Sequence, residues 1–321
     1  MTRRYILRRL LQIAPVSAAI VAVGFLLIHL APGDPVLALA GESGDAEYYR
    51  FMREKFGLDR PLPAQFARYV NNVARGDFGV SYIHGRPAMA VISERLPATL
   101  LLTGSALVLS TLFGIAMALV SASRPHGVRD AALSTLTLGL YAAPVFFLAQ
   151  MGVLLLSLRL GWFPVQGMTT ARSPSQGWAH VTDVLWHLVL PVSVLASQEV
   201  AAVARLGRTG LMDELGADHI RTARAKGLSE WRVLLKHALR RALLPVVTVI
   251  GGRIGHLVAG AVVVEVVFGW PGIGQLLLAS MRARDIPVVL GIFTLVALGV
   301  VIANLLTDLI YVRLDPRIRY R

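Results

Sequence analysis

The chain has 321 residues, of which 55% are hydrophobic and only 16% are charged. Soluble domains carry about 25% charged residues, so this composition excludes an ordinary soluble domain and places the chain among membrane proteins. The absence of cysteine excludes disulfides, thiolate metal sites and a cysteine nucleophile. The net charge is +13, but the basic residues flank apolar stretches, which indicates membrane orientation rather than nucleic-acid binding.

Six apolar stretches are long enough to be transmembrane helices, which need about 20 residues each. Four of them carry no charge: residues 10–33, 96–123, 131–158 and 286–307. Two more, 184–204 and 242–264, are interrupted by Glu199 and Arg253. A charge inside a span is costly, but such a helix still inserts when the charge faces protein or water. The sequence therefore predicts an all-α membrane protein with six transmembrane helices.

The first stretch follows four arginines and resembles a secretory signal. Its apolar run exceeds the roughly 7–15 residues of a signal, and Ala31-Pro-Gly-Asp-Pro35 is a poor cleavage site. We therefore predict that residues 1–33 form an uncleaved N-terminal transmembrane helix.

The charges of the connecting segments predict the orientation. In a six-span arrangement the four basic segments fall on one side of the membrane: residues 1–9, 124–130, 205–241 and 313–321. Because short basic loops stay in the cytoplasm, both termini are predicted to be cytoplasmic.

Residues 34–95 carry eight basic and eight acidic side chains and are too long for a tight connector. Amphipathic stretches at 47–56 and 62–73 predict a small extracytoplasmic helical segment, either a lid packed on the spans or a surface for a partner. Pro and Gly at 270–274 break the helix after the fifth span, which predicts a re-entrant or surface-lying segment over 275–281.

The loop at residues 205–241 carries nine basic and four acidic side chains. We expect a short helix over 219–226, capped by Asp218 and ended by Gly227 in a left-handed conformation. Ser229 is expected to cap a second helix that leads into the fifth span. Ala217, Ala223 and Ala225 leave one side of the short helix small, so it can dock into a partner. The alternative is a basic loop held near anionic lipid.

At this loop the sequence resembles the integral membrane permeases of binding-protein-dependent ABC importers, in the dipeptide, oligopeptide and nickel branch. The likeness runs from end to end. The matching segments are Tyr5-Ile-Leu-Arg-Arg-Leu-Leu11, Ala31-Pro-Gly-Asp-Pro35, Arg75-Gly-Asp-Phe-Gly79, Glu94-Arg-Leu-Pro-Ala-Thr99, Asp218-His-Ile-Arg-Thr-Ala-Arg-Ala-Lys-Gly-Leu-Ser229, Glu265-Val-Val-Phe-Gly-Trp-Pro-Gly272 and Leu314-Asp-Pro-Arg317.

The resemblance implies a type I ABC importer permease in the bacterial inner membrane. Its core would be residues 96–312, with a coupling loop at 205–241 and a cytoplasmic tail at 313–321. Its partners would be a homologous second permease subunit, two ATP-binding subunits, an extracytoplasmic solute-binding protein and membrane lipid, with no nucleic acid. The residues implied to contact the ATPase are Asp218, His219, Arg221, Thr222, Ala223, Arg224, Ala225, Lys226 and Gly227.

The loop departs from the broader family motif at two places. Arg221-Thr-Ala223 stands where the motif opens with Glu-Ala-Ala, and His237-Ala-Leu-Arg240 replaces a later Ile-x-Leu-Pro. Both departures look usual for the peptide branch, but no role can be carried over for the missing glutamate.

The chain is predicted to be a non-catalytic transport subunit that binds no cofactor. None of its three lysines follows a glycine, so it lacks the loop that cradles ATP phosphates. ATP and magnesium are therefore expected on the partner subunits. The nucleophile elbow of hydrolases is also absent, which argues against a membrane-embedded hydrolase. A nickel-chelate or other small-solute permease and a proton-coupled secondary transporter are the remaining alternatives.

Charged groups within the spans are candidates for function. Glu199 and Arg253 are expected to line the transport path, to contact a partner permease or to form a buried structural pair. Counted along the helix rise from Arg205 and Arg241, they fall at different depths, about 9 Å and about 18 Å from the loop. Glu265 and Asp308 lie nearer the ends of their spans and are expected to be solvated.

Overall fold

The computed structural model describes residues 15, 18–19, 21–26, 45–170 and 177–314. These residues are mostly helical and contain no β-strand, only a single bridge between Val80 and Pro87. In chain order the helices are α1 (Ala46–Phe56), α2 (Leu62–Ala74), α3 (Ala88–Ser123), α4 (Val128–Ala142), α5 (Val145–Gly152), α6 (Trp178–Leu215), α7 (Asp218–Ala225), α8 (Glu230–Arg232), α9 (Leu239–Gly252), α10 (Ile254–Val267), α11 (Ile273–Arg282) and α12 (Ile286–Leu314). A π-helix, Val153–Arg159, extends α5, and another, Val233–Ala238, joins α8 to α9.

Three helices, α3, α6 and α12, are long and apolar enough to cross a bilayer alone. Two bent pairs, α4 with α5 and the 230–252 helix with α10, bring the candidate spans among the described residues to five. The predicted all-α membrane fold is confirmed. The predicted first span, 10–33, is described only at residues 15, 18–19 and 21–26, which are helical, so the count of six stays a prediction.

Several predicted features lie outside the described residues. They are the segments Tyr5–Leu11 and Ala31–Pro35, the connector 34–44, the side chain of Asp308 and the tail from 315 onward.

The described residues divide into two compact units. The first comprises residues up to Ala98 and residues 272–302. Its core packs Phe78 and Ile92 against Ile273, Val288 and Ile292. The amphipathic stretches predicted at 47–56 and 62–73 are confirmed as α1 and α2, and the segment predicted at 275–281 is α11.

A buried carboxylate organises the turn before α3 in the first unit. Asp285 is fully buried and accepts hydrogen bonds from the Ser81 hydroxyl and from the backbone N–H of Tyr82, at 3.0 Å. Burial, followed by the charge of Asp285, raises the pKa of the Tyr82 phenol above its usual range. The turn is thus fixed to the residue that immediately precedes α12.

The second unit comprises residues 99–271 and 303–319, and α6 is its central helix. Most of the apolar length of α6 is buried, against α4, α5, α9 and α10. The helix extends to Leu215, beyond the predicted span end at Ala204, because residues 205–215 continue the helical pattern on a polar surface. Arg205 and Arg208 therefore lie on α6.

Residues 131–158, predicted as one of the uncharged spans, form a bent pair of helices rather than one straight helix. The chain bends by 100° between α4 and α5, at Ala143 and Pro144. Proline has no N–H to continue the helix, and its ring forces the preceding residue out of the helical region. Ala143 accordingly has ψ of 127°. A second bend, of 53°, separates α9 from α10 at Arg253.

Candidate functional site

The short helix predicted in the basic loop is α7, but Asp218 does not cap it. The N-cap is Ala217, with an extended backbone, and no side chain makes a capping hydrogen bond. Asp218 is instead the first helical residue, where its negative charge is favourable toward the positive end of the helix dipole. Ser229 stands at the N-cap of α8, also without a side-chain capping bond.

Gly227 ends α7 as predicted. Its φ is +73°, in the left-handed region that glycine adopts without strain. Its N–H donates to the carbonyl of Arg224 at 2.9 Å, and the N–H of Leu228 donates to that of Ala223 at 3.4 Å. These two bonds form a Schellman motif, which satisfies carbonyls that the helix end would otherwise leave unpaired.

One face of α7 is buried within the chain itself. Ile220 and Ala223 pack in a cluster with Leu211, Val233 and Ala238. Of the three alanines predicted to keep one side small, Ala223 is only 5% exposed and is covered by its own subunit, whereas Ala225 is exposed. The opposite surface is exposed, and we call it the outer face of α7: Asp218, Arg221, Thr222, Ala225 and Lys226.

An ion pair ties the two sides of the Gly227 turn together. Arg224 donates two hydrogen bonds to the carboxylate of Glu230, at 2.7 and 3.2 Å. Hydrogen bonding to that carboxylate raises the pKa of Arg224 further above its already high value. His219 lies 3.4 Å from the Glu214 carboxylate and 3.4 Å from the Arg241 guanidinium. The orientation of α7 is thus fixed relative to α6, α8 and α9.

Asp130, which is buried, and Arg208, which is partly exposed, form an ion pair that the sequence did not reveal. The guanidinium donates to both carboxylate oxygens, at 2.6 and 2.7 Å. The Ser121 hydroxyl and the N–H of His126 also donate to Asp130. The pair joins α4 to α6, and 77 residues of intervening sequence separate its members.

Glu199 and Arg253 are in direct contact, so the prediction that they lie at different depths is wrong. The guanidinium donates to both carboxylate oxygens, at 2.7 and 3.1 Å. Glu199 is almost fully buried, whereas the Arg253 side chain keeps 24% of its surface exposed. His256 lies 3.5 Å from the same carboxylate and is largely exposed. The pair thus borders open space on one side.

Two neighbouring residues of α6, Gln198 and Glu199, contact the bend between α4 and α5 and the bend between α9 and α10. Gln198 donates to the carbonyl of Ala143, at the bend between α4 and α5, at 3.0 Å. The next residue, Glu199, binds Arg253 at the bend between α9 and α10. Interrupted helices in membrane proteins characteristically surround binding sites, because their irregular backbone needs polar surroundings.

Glu265 is not solvated, contrary to expectation. It is fully buried and accepts a hydrogen bond of 2.6 Å from the hydroxyl of Thr99. The bond joins two of the segments that carry the family resemblance, 94–99 and 265–272. Within the described ranges, no three His, Asp or Glu side chains converge as a metal site would require.

Comparison with known proteins agrees with this architecture. Residues 110–320 match the family described as "Binding-protein-dependent transport system inner membrane component". The chain belongs to this family. Residues 1–103 match the N-terminal family of the same membrane components. The predicted family membership of this permease is thereby confirmed.

Full-length relatives of the permease are known. It is 40% identical over 319 residues to the oligopeptide transport system permease protein AppB of Bacillus subtilis (strain 168), covering 98% of this chain and 99% of that one. It is 37% identical over 317 residues to the glutathione transport system permease protein GsiC of Escherichia coli (strain K12), covering 99% of both chains.

Solved structures share the fold of the permease. Two crystal forms of the MetNI methionine ABC transporter, in inward-facing conformations, match with TM-scores of 0.54 and 0.57. Each match has 17% sequence identity and covers 71% of this chain and 97% of the other. This likeness establishes the type I ABC importer permease fold.

Proposed function

We propose that this permease is one of two membrane subunits that form the translocation pathway of an ATP-driven importer for short peptides. The substrate class rests on the relatives, whose names give an oligopeptide and glutathione, itself a tripeptide, as their cargo. The full-length alignments support carrying that class over to this chain.

The observation that carries the proposal is the way α7 is held. Its inner face is buried in the subunit, the Schellman motif fixes its end, and Arg224 clamps it to Glu230. The outer face of α7 is exposed, and these contacts hold the helix rigidly behind it. A partner that presses on this face would transmit force to α6 and α9 instead of merely deforming a loop.

The partner on the outer face is an ATP-binding subunit, and ATP with magnesium binds there rather than to this chain. The residues proposed to form or support this contact are Asp218, His219, Arg221, Thr222, Ala223, Arg224, Ala225, Lys226 and Gly227. A second, homologous permease completes the pathway, a second ATP-binding subunit completes the motor, and an extracytoplasmic solute-binding protein delivers substrate. The chain lies in the bacterial inner membrane with both termini in the cytoplasm.

The pathway follows the helix breaks around α6. Glu199 and Arg253 are proposed to line it, since their pair borders open space beside two bends. Movement of α7 would shift α6 against α9 and so change the exposure of this pair. Such alternation requires two states that ligands bias, which here are ATP on the partner and peptide in the pathway.

Purification and reconstitution test the proposal. The permease, expressed with its neighbouring transport subunits, should co-purify with ATP-binding subunits and support ATP-dependent peptide uptake into vesicles. Uptake should require the solute-binding protein and should stop when the ATP-binding subunits are omitted. Peptide uptake by the lone chain would refute the proposal, because it would show a self-sufficient secondary transporter.

A further inference from the structure

A polar seam runs between α4 and α6. Asp130, Ser134, Thr137 and Tyr141 follow one another at spacings of four, three and four residues, which places them on one face of α4. This face borders a cavity of about 210 Å³ that we call the α4–α6 cavity. Among its lining residues are Ser134, Thr137 and Tyr141 of α4 and Arg205 and Arg208 of α6.

The charges along this seam are not balanced. Arg208 is neutralised by Asp130, and Arg253 is neutralised by Glu199. Arg205, between them on α6, contacts no carboxylate in the part of the chain that the structure describes. Its guanidinium lies over the ring of Tyr141, 5.0 Å from the centroid. Of the two guanidiniums that line the α4–α6 cavity, Arg208 is therefore neutralised, and Arg205, which is exposed, is not.

Tyr141 connects Arg205 to the Glu199–Arg253 pair. Tyr141 interacts electrostatically with Arg253, while Arg205 covers the face of the same ring. Contact with the ring face stabilises a cation without neutralising it. The guanidinium fork of Arg205 therefore keeps its capacity to bind a carboxylate with two parallel hydrogen bonds.

We infer that the α4–α6 cavity is a subsite for the free carboxylate of the transported peptide, with Arg205 binding the carboxylate and Tyr141 positioning Arg205. The inference rests on the proposed function and deepens it by naming the group that is recognised. The cavity is smaller than the roughly 300–1,000 Å³ that encloses a whole drug-sized ligand. It therefore takes one end of the peptide, and the remainder extends into the adjoining path.

Uptake of matched substrates by the reconstituted transporter tests the inference. The probes are a tripeptide with a free carboxyl terminus and the same tripeptide as its amide. Arg205→Gln should lower the ratio of acid to amide uptake by about tenfold relative to the unmodified chain, the equivalent of one lost ionic contact. Arg205→Lys should lower the ratio of acid to amide uptake less than Arg205→Gln does. Lysine keeps the positive charge but cannot form the two parallel hydrogen bonds of a guanidinium. Arg129→Gln, an exposed arginine one residue from Asp130, is the matched control and should leave the ratio unchanged.

The outcomes separate this inference from the proposed function. An unchanged acid-to-amide ratio in Arg205→Gln, with uptake retained, overturns the carboxylate subsite and leaves the importer assignment standing. Failure of the unmodified complex to take up either peptide with ATP overturns the importer assignment itself. Arg205→Gln could instead lower the uptake of acid and amide equally, by an amount that depends on the anionic lipid content of the vesicles. That result would show that Arg205 binds a lipid phosphate, and it would also overturn the inference.

A second measurement does not depend on the solute-binding protein. Because the chain has no cysteine, Ser134→Cys places a unique thiol in the cavity wall. In the complete transporter this thiol should react several times faster with an anionic than with a cationic methanethiosulfonate, since Arg205 attracts the anion. Adding Arg205→Gln should abolish the preference, and the free tripeptide should protect the thiol better than its amide. Equal rates for the two reagents with Arg205 present would overturn the inference.

Discussion

Gly210 on α6 lies directly against Ala242 on α9: a Cβ atom built on Gly210 would stand 2.9 Å from the Ala242 carbonyl oxygen. The two helices run in opposite directions, and this contact fixes their register. Glu199 is eleven residues from Gly210, and Arg253 is eleven residues from Ala242. At 1.5 Å per residue both lie about 16 Å beyond the contact. The close contact at Gly210 and the ion pair thus belong to the same packing of α6 on α9.

Gly210→Val should force α6 and α9 apart. A valine side chain would overlap the backbone of Ala242, and overpacking of this kind typically costs about 1–3 kcal/mol. We expect a lower thermal unfolding temperature of the complex in detergent and weakened pairing of Glu199 with Arg253. Gly104→Val is the matched control, because no atom lies within 4 Å of a Cβ at that helical position. Equal effects of the two substitutions would contradict the register argument.

Gly227→Val should uncouple ATP hydrolysis from transport. A β-branched residue in the left-handed region costs at least about 1–2 kcal/mol, so the turn that ends α7 would change conformation. Membrane insertion should be unaffected and ATP hydrolysis should continue, but uptake should be lost. Gly76→Val imposes similar strain at φ of +79°, outside the coupling loop, and should not uncouple. Normal uptake by Gly227→Val would count against the docking role of α7.

The Glu199–Arg253 pair can be tested with single and double substitutions. Removing one partner of a fully buried ion pair leaves the other charge uncompensated and costs about 3–5 kcal/mol. The Arg253 side chain keeps 24% of its surface exposed, so the cost here should be smaller. Glu199→Gln and Arg253→Gln should therefore each lower the unfolding temperature more than the double variant does. The double variant, if stable, should still be defective in uptake, because the pair is proposed to line the path. Normal uptake by a stable double variant would make the pair purely structural.

Asp285→Ala should loosen the turn at residues 79–87 without affecting α7. The substitution leaves the Ser81 hydroxyl and the Tyr82 N–H without their buried acceptor, at a cost of about 1–3 kcal/mol for each unsatisfied group. Limited proteolysis should then cleave the first unit near this turn. Asp59→Ala, at an exposed carboxylate, serves as the control and should leave the cleavage pattern unchanged. Unchanged protection in Asp285→Ala would refute the anchoring role.

Local signals in the sequence were sufficient for much of this fold. The position of Gly227 predicts the end of α7, because the left-handed turn requires only the neighbouring residues. The periodicity of residues 47–56 and 62–73 likewise predicts α1 and α2. The bend at Pro144 could also have been predicted, because proline restricts the backbone of the residue before it. The length of the apolar stretch around Pro144 instead favoured a single span.

Pairings between distant segments were not readable from one sequence. Thr99 meets Glu265, and Asp130 meets Arg208, only because particular helices pack in a particular register. Small residues such as Gly210 set that register, and a hydropathy pattern does not indicate which helix they face. The sequence likewise does not show that the rest of this subunit covers Ala223. The face of α7 that carries Ala223 was therefore predicted to dock into a partner.

Cross-linking from α7 tests the central claim most directly. Ala225→Cys places a single thiol on the outer face of α7, and a thiol-specific photo-cross-linker attached there should capture an ATP-binding subunit in the assembled transporter. The same cross-linker at Ser93→Cys, an exposed position near the start of α3, should capture none. Labelling of Ala225→Cys by a membrane-impermeant reagent from outside intact cells, with no cross-link to an ATP-binding subunit, would contradict the account.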